Sequence, residues 1–138
     1  MEENSFVLDT HVWVSIFHRN KTEELLDALI ENGITLVSTT EQEKELLHIL
    51  HDYPEVKELL PGNPKDYAAL LTSITQSFSS QKRFALLTDY RDNYLVDLAH
   101  QSQSVLVSDD STFKPLKLMK RPKVKLISKK EFYKVIGW

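Results

Sequence analysis

Short apolar runs recur along this chain at Phe6-Val7-Leu8, Ile34 to Val37, Phe84-Ala85-Leu86-Leu87, Val105-Leu106-Val107 and Val124 to Ile127, and helical patterns separate them. Parallel neighbours need a crossover of a dozen or more residues, usually a helix, so this alternation points to a parallel sheet covered on both faces. The expected fold class is α/β, three layers (α/β/α), with a central, mainly parallel sheet of about five strands. Helices are expected over 11–17, from Thr22 to about Glu31, from Thr40 to about Asp52, from Pro64 to about Phe78 and from about Arg91 to Gln101. Asn32-Gly33 supplies the stop for the second, and Ser128 caps a last helix to about Val135. Pro61-Gly62-Asn63-Pro64 reads as a surface loop.

The length of 138 residues suits a single domain spanning 1–138. There is no cysteine, which excludes a disulfide scaffold, a zinc ribbon, a thiol nucleophile and an iron–sulfur site, and fits a reducing cytoplasm. Met1-Glu2-Glu3-Asn4 is acidic, unlike the start of a signal peptide, and no run approaches the ~20 apolar residues of a membrane span. A cytoplasmic protein without a membrane segment is the expectation. The three glycines, Gly33, Gly62 and Gly137, form no phosphate-binding loop.

Three of the apolar runs lead into acids. Phe6-Val7-Leu8 ends at Asp9, Phe84 to Leu87 is followed by Thr88-Asp89 with Asp92 beyond, and Val105-Leu106-Val107-Ser108 ends at Asp109-Asp110. In a parallel sheet these ends share the edge where ligands bind. Two unit charges ~4 Å apart repel by roughly 4 kcal/mol at an effective dielectric near 20, so such a cluster calls for a cation. Each acid also has a local reading: Asp9 and Asp89 as helix N-caps, Asp109 or Asp110 as a turn opener.

Within the helices, Asp92 continues the buried stripe of Leu95 and Ala99 at its sheet-end terminus. Asp97 projects about 140° away at ~100° per residue and is expected in solvent. Thr40-Glu41-Gln42-Glu43 matches a capping box, which gives Glu43 a structural task. Glu45 lies four residues before Ile49, beside the Leu46/Leu50 seam, and is the glutamate assigned to the site.

These motifs resemble the PIN domain, the nuclease fold of many bacterial toxin–antitoxin toxins, over nearly the whole chain. Val7-Leu8-Asp9-Thr10-His11-Val12-Trp13-Val14 is similar to the family's opening strand and helix. Leu36-Val37-Ser38 followed by Glu45-Leu46-Leu47 resembles its second motif. Asp89-Tyr90-Arg91-Asp92-Asn93-Tyr94-Leu95 resembles its third, with Tyr90 in place of a proline. Val107-Ser108-Asp109-Asp110 resembles its fourth, with Asp109 in place of a glycine, which leaves the register of the fourth acid open by one residue.

The resemblance implies metal-dependent hydrolysis of RNA. Oxygen ligands without a zinc-like histidine spacing suit Mg²⁺ or Mn²⁺. Asp9 and Asp92 are assigned as principal ligands, and Asp110 and Glu45 as holders of a second metal or its waters. Ser108, Thr10, Asp89 and Asp109 support them. The resemblance further implies a homodimer silenced by a cognate antitoxin protein. Residues 111–138 hold nine bases against one acid, a balance of +8, while the first 110 residues hold eight bases against nineteen acids, −11. Lys114, Lys117, Lys120, Arg121 and Lys123 are therefore candidates to hold RNA phosphates, with a solvated face as the plainer reading. Tyr90, Tyr94 and Trp13 are candidates to stack a base or to fill the core. Two rivals stand beside this: a PIN fold without activity that binds protein or RNA, and an acid-phosphatase-like hydrolase with Asp9 as nucleophile. The latter wants a second acid where His11 stands.

Overall fold

A computed structural model describes residues 4–79, 93–118 and 123–138. Its elements are β1 (Ser5–Leu8), α1 (Thr10–His18), α2 (Thr22–Asn32), β2 (Thr35–Ser38), α3 (Thr40–Asp52), α4 (Pro54–Leu59), α5 (Pro64–Ile74), β3 (Gln76–Ser77), α6 (Asn93–Gln101), β4 (Val105–Val107), β5 (Leu126–Ile127) and α7 (Lys129–Val135). A 3₁₀ segment, Ser111–Leu118, joins β4 towards β5. The sheet has five strands in the order β3-β2-β1-β4-β5, and every pair is parallel.

Period-two alternation in the strands divides the core between the two faces. Phe6, Leu8, Leu36, Val105 and Val107 join one cluster with Trp13 and Ile16 of α1, Leu25 of α2, Leu46 and Leu50 of α3 and Phe132 of α7. Val7, Val37 and Leu106 point the other way, to Leu95, Leu98 and Ala99 of α6 and Phe113 of the 3₁₀ segment. Strands packed on both faces read as continuous apolar runs, which is why the short runs were legible.

Gly33, at φ 62°, closes α2 in the left-handed conformation. Several boundaries differ from expectation. The helix from Pro64 ends at Ile74, because Thr75 is extended at φ −105°, ψ 159° and hands the chain to β3. Thr75 Oγ1 donates to Leu71 O at 2.8 Å and lies 2.5 Å from Ser38 Oγ, which ties the turn to β2. α4 follows α3 almost at once: Pro54 forces Tyr53 out of the helical region (φ −106°, ψ 105°) and itself occupies the first turn of α4. β5 begins at Leu126, two residues later than expected. The strand expected at Phe84 to Leu87 and the start of the helix at Arg91 lie outside the described residues.

Candidate active site

β1 is central, with β2 on one side and β4 on the other. This is a topological switch point, where an open α/β sheet leaves a crevice at its carboxyl edge. Asp9 stands in that crevice. Its backbone N–H extends the ladder to Val107 O at 2.9 Å, and its carbonyl accepts from Val12 and Trp13 at 2.9 and 3.2 Å, so one residue ends β1 and N-caps α1. The cap fixes the side chain: Oδ1 accepts from the His11 N–H at 3.4 Å and Oδ2 from Ser108 Oγ at 2.7 Å. Asp9 is 5% exposed. Burial holds its carboxyl above the usual range, against the pull of Ser108 and His11, and the charge of Asp110 adds to the upward push.

Ser108 is the hinge between the two strand ends. Its hydroxyl donates to Asp9 and accepts from the Asp110 N–H at 3.0 Å. Asp110 Oδ1 accepts from the backbone N–H and hydroxyl of Thr112 at 2.9 and 2.8 Å, starting the 3₁₀ segment. Asp109 Oδ1 accepts from the Lys129 N–H at 3.0 Å, at the start of α7. Asp9, Asp109 and Asp110 line one pocket of about 350 Å³, whose remaining walls include His11, Ser15 and Lys129.

Next to Asp9, Thr10 turns the other way. Fully buried, it donates to Glu45 Oε1, and Tyr94 Oη donates to the same oxygen at 2.7 Å. Gln42 Nε2 donates to Leu8 O at 2.5 Å and reaches Thr10 Oγ1 at 3.5 Å. Burial, then the charge of Glu45, pushes the Tyr94 phenol well above 10, so it stays a donor throughout the neutral range.

A family model described as PIN domain matches residues 5–112. The chain belongs to the PIN domain family. Among solved structures, the crystal structure of VapBC2 from Rickettsia felis bound to a DNA fragment from their promoter includes a similar chain. The TM-score is 0.56 at 14% identity, over 90% of this chain and 98% of that one. Identity this low speaks to the fold alone. No curated protein sequence matches the chain.

Within this PIN domain the structure brings Asp9, Ser108, Asp109 and Asp110 together, and Thr10 to Glu45. Asp89, Tyr90 and Asp92, together with Lys120 and Arg121, lie outside the described residues. Lys114, Lys117 and Lys123 are exposed and do not line the pocket. Trp13 is fully buried, and Tyr94 is 8% exposed with its hydroxyl on Glu45, so both belong to the interior rather than to a base-stacking surface.

Two expectations are corrected. Thr40 and Glu43 form no capping box: the N-cap of α3 is Thr39, without a side-chain capping bond. The pattern Thr39-x-x-Gln42 is shifted by one residue, and Gln42 is drawn to Leu8 O instead. Asp97 is 2% exposed rather than solvated, because α6 is buried all round from Asn93 to Ala99. The sequence reading missed Gln42 as a link to β1, Tyr94 as a partner of Glu45 and Lys129 as a pocket residue.

The donors facing the pocket fit a hard divalent cation. They include carboxylate and hydroxyl oxygens beside the His11 imidazole, with a buried carboxylate and an acidic neighbour whose repulsion a cation would relieve. Among the described residues no three acids or imidazoles converge closely enough to hold one unaided. Asp9, Asp109 and Asp110 face the pocket from the ends of β1 and β4, and a cation held there would need a further ligand from elsewhere.

Proposed function

We propose that this PIN-domain protein is a metal-dependent endoribonuclease that hydrolyses RNA phosphodiester bonds, and that it is the toxin of a toxin–antitoxin pair. The observation that carries the reading is the joining of Asp9 and Asp110 through the single hydroxyl of Ser108 at the switch point. Acids from separate strands share one pocket there.

Asp9, Asp92 and Asp110 would hold Mg²⁺ or Mn²⁺, with Glu45 as the fourth acid. A cation bound by these acids would supply an activated water and offset charge on the scissile phosphate and the leaving 3′ oxygen. Ser108 sets the orientation of Asp9. Thr10 and Tyr94 hold Glu45 by one oxygen. Asp109 anchors the pocket wall to α7, and Asp89 is assigned to support the metal-binding acids. An antitoxin partner is supported by the structural likeness to a chain of VapBC2, and a homodimer by the family resemblance.

The test is cleavage of a mixed RNA pool with Mg²⁺ or Mn²⁺, with chelator, and by Asp9→Asn and Asp92→Asn. Cleavage should require the cation and be lost in both variants. Full activity in chelator or in both variants overturns the assignment. Absence of cleavage with retained RNA or protein binding establishes the inactive binding module instead.

A further inference from the structure

The pocket beside Asp9 is not acidic on every side. Lys129, the first residue of α7, contributes a cation to its wall. Four hydrogen bonds fix where this side chain leaves the backbone. Ser108 N–H donates to Ile127 O at 3.0 Å, which ties the end of β5 to the end of β4. The capping box of Ser128 and Glu131, with both bonds at 3.1 Å, sets the following turn. The Lys129 N–H itself donates to Asp109 Oδ1 at 3.0 Å. From there Nζ reaches α1 and donates to Ser15 Oγ at 3.4 Å.

An internal counter-ion would sit on a carboxylate. Among the described residues Lys129 makes no such ion pair; the pairs there join His48 and His51 to Asp52. Its ammonium has one long contact to a neutral hydroxyl, although Asp9, Asp109 and Asp110 share the pocket. An ammonium carries three donors and acts as a point charge on a flexible stem, which suits a phosphate oxygen. The acids that hold a cation also repel a polyanion, so a backbone phosphate entering this pocket needs a positive group beside them. Of the described basic residues after position 112, Lys129 is the one that lines the pocket. It lies beyond the segment 5–112 that matches the family.

We propose that Lys129 forms a phosphate subsite, its ammonium binding a non-bridging oxygen of the RNA backbone beside Asp9 and Asp110. The inference rests on the ribonuclease reading above. Lys134 is the control. It is an exposed lysine on the same helix that does not line the pocket, so its loss removes the same charge elsewhere.

The experiment measures anisotropy of a labelled single-stranded RNA against salt, in chelator, for wild type, Lys129→Gln, Lys129→Arg and Lys134→Gln. Steady-state cleavage with Mn²⁺ and Mn²⁺ calorimetry accompany it. Lys129→Gln should bind RNA several-fold more weakly, with a salt slope shallower by about 0.7, the value for one neutralised phosphate on a single strand. Its KM should rise more than its kcat falls. Lys129→Arg should restore binding, and Lys134→Gln should match wild type. Equal losses in Lys129→Gln and Lys134→Gln, or an unchanged slope in Lys129→Gln, overturn the subsite. Tighter Mn²⁺ binding with unaltered RNA affinity in Lys129→Gln also overturns it, by making Lys129 a counter-charge to the acids. Failure of wild type itself to bind or cleave RNA refutes the ribonuclease reading, whereas wild-type activity with an indifferent Lys129→Gln refutes the subsite alone.

Discussion

Tyr94 Oη and Thr10 Oγ1 converge on one oxygen of Glu45, so helices α6 and α1 together fix the carboxylate carried by α3. The two hydroxyls are 3.4 Å apart. Tyr94→Phe removes one of them and leaves the ring packing intact. A hydrogen bond to a charged group contributes about 1.5–3 kcal/mol when enclosed; Glu45 is only half-buried, so a loss of about 1 kcal/mol is expected. Urea denaturation checks the number. Cleavage should fall through kcat rather than KM, since the tyrosine holds Glu45 and does not line the pocket. Wild-type stability and wild-type kcat together would show that the bond does not form in solution.

Asp9 gives a prediction whose sign depends on pH. Its folded pKa is raised from 3.8, so the folded protein holds the proton more tightly than the unfolded chain. The relative stability this confers is full below 3.8 and is lost as pH rises through the folded value. In chelator at neutral pH, Asp9→Asn should therefore be at least as stable as wild type, since asparagine also caps helices well. Metal binding to the folded state should add roughly 2.7 kcal/mol at a hundredfold excess over Kd, several degrees in Tm for a chain of this size. Thermal melts with Mn²⁺ and with chelator compare the two proteins. An Asp9→Asn variant that melts well below wild type in chelator and responds equally to Mn²⁺ would make Asp9 a cap alone.

On α3, the neighbouring glutamate and glutamine should separate. Gln42→Ala deprives the carbonyl at the end of β1 of a donor within the core, a cost on the order of 1–3 kcal/mol. Glu43→Ala removes no capping bond and should alter stability by less than about 0.5 kcal/mol. Glu45→Ala should abolish cleavage. Guanidinium titrations and the RNA assay distinguish all three. A large loss of stability in Glu43→Ala would restore the capping box.

Lys114, Lys117 and Lys123 are exposed and do not line the pocket. Replacing all three with Gln should flatten the salt dependence of RNA binding by up to about 0.7 for each phosphate that they neutralise, with kcat unchanged. An unaltered slope would assign them to solvent.

The parallel sheet and the acids after β1 and β4 were legible because Phe6-Val7-Leu8 and Val105-Leu106-Val107 are apolar throughout and run directly into Asp9 and into Ser108-Asp109-Asp110, residues with local capping and turn tasks. Asp97 was misread for the complementary reason. A helical wheel assumes one wet side, and α6 has none from Asn93 to Ala99. The capping motif failed by one position because Thr39 and Thr40 are adjacent and the sequence does not say which leaves the helix. Tyr94 and Lys129 were not assigned their partners because these depend on pairing across 49 and 114 residues, which no local pattern encodes.

The strand β5 pairs with the outer side of β4, Leu106 against Leu126 and Val107 against Ile127, although it lies beyond the residues that match the family. A chain cut at 112 would keep Asp9, Glu45 and Asp110 yet expose the hydrogen-bonding edge of a wholly apolar strand, Val105-Leu106-Val107. An open, flat, hydrophobic edge is a template for pairing with another molecule. The segment that carries the family's motifs is therefore not expected to be a separable folding unit, and without the residues after 112 this protein is expected to self-associate through β4.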